Sequence, residues 1–82
     1  MLKIYGSLQC PDCVRCLAEL DAAGVGYEFL EFEKSLRNLK EFLKLRDMEA
    51  CFDPIREQGS IGIPCILSPD GMIRFEWQGF LK

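Results

Sequence analysis

Cys10-Pro11-Asp12-Cys13 holds the residues with the clearest capacity for chemistry in this chain. A C-x-x-C at a strand-to-helix junction near the start of a small chain is a redox signature. Its two thiols lie one helical turn apart, within reach to close a disulfide. The short apolar run Leu2-Lys3-Ile4-Tyr5 and the turn Gly6-Ser7-Leu8-Gln9 precede the motif, and a helix-compatible run from Val14 to Ala23 follows it. Pro11 suits the first helical position, because it lacks a backbone N–H and its φ is preset. Cys10 then stands at the N-cap, where unpaired N–H groups and the helix dipole favour an anion. A thiolate is such an anion, so Cys10 is the expected nucleophile. The Asp12 carboxylate acts on Cys10 in the opposite sense. Cys13, Cys16, Leu17 and Leu20 recur at i, i+3, i+4 and i+7, which places Cys13 on the buried stripe. The pattern predicts an exposed attacking thiol at Cys10 and a shielded resolving thiol at Cys13.

Three further cysteines make an odd total of five, which argues against a pure disulfide framework. Cys16 extends the motif to C-x-x-C-x-x-C, a spacing that invites an iron–sulfur reading. On a helix turning about 100° per residue, however, Cys10 and Cys16 lie about 240° apart, so three thiolates do not converge. Cys16 is expected to be a buried small hydrophobe. Cys65 follows Pro64 and is expected in a strand core. An alternative reading makes it a third thiolate beside Cys10 and Cys13, in a zinc or iron–sulfur binding protein. Cys51 is expected to be structural or a surface thiol. The chain has no histidine, which excludes Cys–His and Ser–His nucleophile pairs and His-ligated metals.

The elements that must position these thiols fit one domain over residues 1–82. Hydrophobic residues make up 49% and charged residues 28%, an ordinary soluble composition. The net charge of -3 and the scattered Lys and Arg imply no basic surface for nucleic acid. No apolar run approaches the roughly 20 residues that span a bilayer. Met1-Leu2-Lys3-Ile4 enters a strand directly, without a signal-peptide core, so a cytoplasmic location with reduced thiols is expected.

Leu2 to Tyr5 reads as a strand and Pro11 to Ala23 as a helix ended by Gly24. Tyr27 to Phe32 reads as a second strand, completing a right-handed βαβ unit with parallel strands. Ser35 caps a second helix, roughly Leu36 to Ala50, with Leu36, Leu39, Leu43 and Ala50 on one face. Leu45, Met48 and Phe52 lie nearly opposite, so the pattern drifts after Lys44. Asp53-Pro54 breaks the chain, and Ile55 to Gly59 reads as a turn or a short helical piece. Cys65 to Ser68 and Met72 to Trp77 form an antiparallel hairpin about the Pro69-Asp70-Gly71 turn. Ile73, Phe75 and Trp77 are expected on one face of the last strand. Gln78 to Lys82 leaves room for about one helical turn.

The order β-α-β-α-β-β, with Cys10-Pro11-Asp12-Cys13 at the first strand–helix junction and Ile63-Pro64 before the third strand, resembles the glutaredoxin branch of the thioredoxin-like superfamily. The resemblance covers nearly the whole chain. It implies one mixed four-stranded sheet with helices on both faces and a truncated C-terminal helix. It implies a thiol–disulfide oxidoreductase in which Cys10 and Cys13 cycle between dithiol and disulfide, supported by Pro11 and Asp12. It also implies a cis-proline at Pro64 beside the thiols, and a substrate that pairs with the backbone of Ile63. The expected partners are a disulfide-bearing protein or small molecule and a reductase or thiol donor, with no nucleic acid, membrane, metal or tightly bound cofactor. Family members often carry a basic residue before the motif and a Gly-Gly segment that holds glutathione. Ser7-Leu8-Gln9 and Glu76-Trp77-Gln78-Gly79-Phe80 stand in those places, so weak or no specific glutathione binding is expected.

Overall fold

A computed structural model of the chain describes residues 1–81. Strand β1 (Leu2–Gly6) leads to helix α1 (Pro11–Ala22) and strand β2 (Tyr27–Glu31). Helix α2 (Leu36–Met48), a 3-10 turn (Ala50–Phe52) and the short helix α3 (Asp53–Glu57) follow. Strands β3 (Cys65–Leu67) and β4 (Ile73–Arg74) and a 3-10 turn (Gln78–Phe80) complete the fold. The result is a small α/β protein with one mixed sheet in the order β2-β1-β3-β4. β1 runs parallel to β2 and antiparallel to β3, and β3 runs antiparallel to β4. No described helix is long and apolar enough to cross a membrane.

Side chains alternate across β1, so one strand feeds two cores. Leu2 and Ile4 pack with Ile66 of β3 against Cys16 and Leu20 of α1. Tyr5 points the other way and packs with Cys65, Phe42 of α2 and Phe52. The sheet is therefore covered on both faces, and the β1–α1 junction opens at the C-terminal end of a central strand.

Several expected boundaries shift. β2 stops at Glu31, where the chain enters a turn closed by Lys34 N–H to Glu31 O at 3.3 Å. α1 ends at Ala22, one residue early. Ser35 does cap α2, its hydroxyl accepting from Arg37 N at 3.2 Å. The buried face of α2 matches the expected one only at Leu39. Leu36 is 75% exposed and Leu43 is also exposed, whereas Phe42 is only 1% exposed. Leu39 and Leu45 flank Phe42 on the packed side. Aromatic packing decides this: the Phe42 ring lies 5.1 Å from Phe32 and 5.8 Å from Phe52, which meets Phe75 edge-on at 5.0 Å. Such rings bury more area than the leucines and favour tilted contacts. Ala50 lies beyond the helix, in the 3-10 turn that swings Phe52 into this cluster.

The last strand is also shorter than expected. The hairpin turn closes as predicted, with Gly71 N bonding Ser68 O at 2.9 Å and Met72 N bonding Asp70 Oδ1 at 3.1 Å. β4 then ends at Arg74, and β3 ends at Leu67 rather than Ser68. Ile73 and Phe75 join the α2-side core, but Trp77 joins the α1-side core. Its indole N–H needs a partner when buried, and it donates to Glu19 Oε1 of α1 at 2.8 Å. That bond draws the C-terminal segment off the strand path and over α1.

The aromatic cluster yields a stability prediction. Phe42→Ala is expected to cost about 3–5 kcal/mol, the usual range for a buried aromatic. Leu36→Ala, on the exposed end of the same helix, is expected to stay within about 0.5 kcal/mol. Urea denaturation of both variants checks this, and similar costs would contradict the assignment of the buried face.

Candidate functional site

Cys10 occupies the N-cap of α1, with extended backbone (φ -94°, ψ 117°) and Pro11 at the start of the helix. Its carbonyl accepts the Val14 N–H at 3.1 Å. Its side chain makes no capping bond to the first-turn N–H groups. Cys10 is half-buried, and Cys13 is fully buried. The Cys13 thiol neighbours the Cys10 side chain and the Ser7 backbone, and both act on its proton affinity. Burial pushes the Cys13 thiol up to about 12, and the neighbouring Cys10 charge adds to that rise. Cys13 is therefore a protonated thiol at neutral pH. All five cysteines are free thiols in this structure.

Close approach at the end of β1 makes this placement possible. A Cβ built on Gly6 would stand 2.7 Å from Cys13 Sγ, too near for any side chain. Gly6 thus leaves the space that the Cys13 sulfur fills.

Ser7 organises the loop that follows, a role missed in the sequence. Its carbonyl accepts from Cys10 N at 3.1 Å and its hydroxyl accepts from Gln9 N at 3.0 Å. The same hydroxyl donates to the Glu33 carboxylate. A serine two residues before Gln9 in a turn is an ST-turn signal, which made the first half of this network legible in principle. Glu33, 26 residues away, carried no such signal.

Cys10 opens into a cleft of about 790 Å³. Ser7, Gln9 and Asp12 line one side, Phe32, Glu33 and Leu39 another, and the loop from Gly59 to Ile63 a third. Gly62 takes φ +95°, and a Cβ there would meet Phe52 at 2.9 Å, so this wall too needs a glycine. Ile63-Pro64 is a cis peptide bond and Pro64 is buried. Asp12, Arg15, Ile63 and Pro64 line an adjoining cleft that runs toward Trp77. The fold thus brings Cys10, Asp12 and Ile63 to one opening, with Pro64 behind Ile63.

The remaining cysteines stand apart from that opening. Cys16 and Cys65 are fully buried in opposite cores, and Cys51 is exposed. Burial raises Cys16 to about 11 and Cys65 to about 12. Among the described residues, no group of three or more His, Cys, Asp or Glu side chains is placed to hold a metal ion. The candidate trio Cys10, Cys13 and Cys65 is accordingly not assembled.

A protein of Haemophilus influenzae, described as an uncharacterized protein, is 48% identical to this chain over 62 residues. The match spans 76% of this chain and 72% of that protein. The chain belongs to that protein's family. No family model and no solved structure matches the chain.

Two outcomes follow from the thiol environments. At neutral pH, iodoacetamide is expected to label Cys10 and Cys51, and to spare Cys13, Cys16 and Cys65 until the protein is unfolded. Peptide mapping checks this, and labelling of Cys13 as fast as Cys10 would contradict its shielding. Stability is also expected to fall in alkali. The unfolded chain releases its thiol protons near 9.0, and the folded protein holds those of Cys13 and Cys65 to about 12. The unfolded state then binds fewer protons, so the stabilisation is complete below about pH 9 and is lost as pH rises toward about 12. Thermal melts across that range, on reduced protein, read the decline.

Proposed function

We propose that the protein is a glutaredoxin-like thiol–disulfide oxidoreductase that reduces protein or small-molecule disulfides through Cys10 and Cys13. The observation that carries this reading is the pairing of the two thiols at the start of α1. One is accessible from an open cleft, and the other is buried and close enough for the charge of the first to raise its proton affinity. The mixed sheet with helices on both faces, and Pro64 leading into β3, support the resemblance to the thioredoxin-like superfamily.

The reaction begins when Cys10 gives up its proton and its sulfur attacks one sulfur of the substrate disulfide. A Cys10–substrate bond forms, the substrate S–S bond breaks, and the departing sulfur takes a proton from solvent. Cys10 is now neutral, which removes one cause of the high proton affinity of Cys13. Cys13 releases its proton to solvent and attacks Cys10 Sγ. The second substrate sulfur leaves and is protonated. The substrate has gained two electrons and two protons, and Cys10–Cys13 is a disulfide. Two equivalents of an external thiol, leaving as their disulfide, or a reductase return two electrons and two protons. Ile63 lines the cleft beside Cys10, and in the proposed cycle its backbone is assigned the pairing with an extended substrate. A reducing compartment such as the cytoplasm suits this cycle.

Reduction of a model protein disulfide tests the proposal, with glutathione plus its reductase compared against thioredoxin reductase as donor. Cys10→Ser is expected to abolish turnover. Cys13→Ser is expected to accumulate a covalent mixed disulfide at Cys10, visible by mass spectrometry. Full activity in Cys10→Ser, or substrate trapped on Cys65, would overturn the assignment.

A further inference from the structure

The cleft beside Cys10 is electrostatically one-sided. Asp12 and Glu33 line it, and among the described residues no lysine or arginine does. Arg46 stands outside the lining and ties the Gly59–Ile63 wall through Ser60 O at 2.7 Å and Ile61 O at 3.0 Å; these neutral acceptors leave its charge in place. The two carboxylates differ in how far they are offset. Asp12 has Arg15 at 3.7 Å, in an exposed pair. Glu33 makes no ion pair among the described residues, and Ser7 holds its carboxylate by a hydrogen bond. Ser7 also fixes the Cys10 backbone, so the Glu33 charge is held in a defined relation to the attacking sulfur. Phe32, Leu39, Ile61 and Ile63 supply apolar walls between the charges. At about 790 Å³ the space accommodates several residues of an extended chain.

We infer that this cleft selects cationic polypeptide disulfides, in which lysine or arginine flanks the cystine, over anionic disulfides such as oxidised glutathione. The inference rests on the disulfide-reducing reading of Cys10 and Cys13. A basic flanking residue meets Glu33 first and Asp12 second, while the carboxylates of an anionic disulfide meet like charge with no cation among the described lining residues to offset it. Such complementarity acts on encounter and on register, and it weakens as salt rises.

The test uses short disulfide-cyclised peptides that differ only in the residues flanking the cystine: lysine, glutamine or glutamate. Pre-reduced protein reduces each in a single turnover, and each rate is divided by that for dithiothreitol to remove the peptide's own reactivity. The lysine peptide is expected to outpace the glutamate peptide by about tenfold at low salt, and by about twofold near 0.5 M salt. E33Q is expected to lower that ratio about threefold, and D12N by less, because Arg15 already offsets Asp12. Taking the ratio cancels any effect of either change on Cys10 itself. A ratio within about twofold of one at low salt, or a ratio unchanged in E33Q, overturns the inference.

A second measurement separates the charge preference from the chemistry. S-methylated linear versions of the peptides are titrated into the protein, and the amide signals of Gly59 to Ile63 are followed by NMR. Tighter binding of the lysine peptide, by about tenfold, supports the charge preference even if no peptide is reduced, and in that case the reductase reading alone fails. Equal binding of lysine and glutamate peptides overturns the preference, and turnover of both then leaves the reductase reading standing.

Discussion

The arrangement of this protein depends on how closely the end of β1 approaches the first turn of α1. Gly6 is the point of contact. Without a side chain there, the Cys13 sulfur sits against the strand backbone, next to Ser7 and the Cys10 side chain. Any Cβ at position 6 would displace that sulfur or push the helix off the sheet. The asymmetry of the thiols follows from the same contact. Cys13 is desolvated because it is pressed into the strand–helix junction, and Cys10 stays accessible because Pro11 ends the loop just where the helix begins.

The two cores answer different needs. The α1-side core is mostly aliphatic, and it closes with the indole of Trp77 bonded to Glu19 and stacked near Arg15 at 5.3 Å. The α2-side core is a chain of aromatic rings from Tyr5 through Phe42 and Phe52 to Phe75. Phe52 belongs to the core and backs the cleft wall at Gly62. It fills the space beneath Gly62, so the packing that stabilises α2 and α3 also sets the position of the loop facing Cys10. Arg46 ties that loop to α2 from the other direction through two carbonyls. The cleft is therefore bounded by well-packed elements on two sides, which suits a site that must hold a substrate sulfur in line with Cys10.

Charge at the opening was only partly readable in advance. Asp12 lies inside the motif and announced itself. Glu33 lies in the turn after β2, where a glutamate among Glu31, Lys34 and Arg37 reads as solvated surface. Its bond to Ser7 brings it to the site from across the parallel pair β1–β2, a contact of long sequence separation. Local pattern carries no information about such a pairing.

By itself the sequence determined the features that act over one turn or one strand. The N-cap position of Cys10 followed from Pro11, the burial of Cys13 and Cys16 from helical spacing, the Ser35 cap from its side chain, and the hairpin from Pro69-Asp70-Gly71. Element order was legible for the same reason, since propensity and turn chemistry are local. What the tertiary structure decided was which apolar residues won burial and where strands stopped. On α2, leucine spacing pointed to Leu36, Leu39 and Leu43, but the ring contacts available to Phe42 turned the buried face so that of these only Leu39 packs inward. On β4, alternation pointed to one face for Ile73, Phe75 and Trp77, but the Trp77 indole found its acceptor on α1 and took the chain with it. In both cases the deciding partner lay far off in sequence. Only folding brings such partners within contact distance, and their aromatic and hydrogen-bonding gains then outweigh the local pattern.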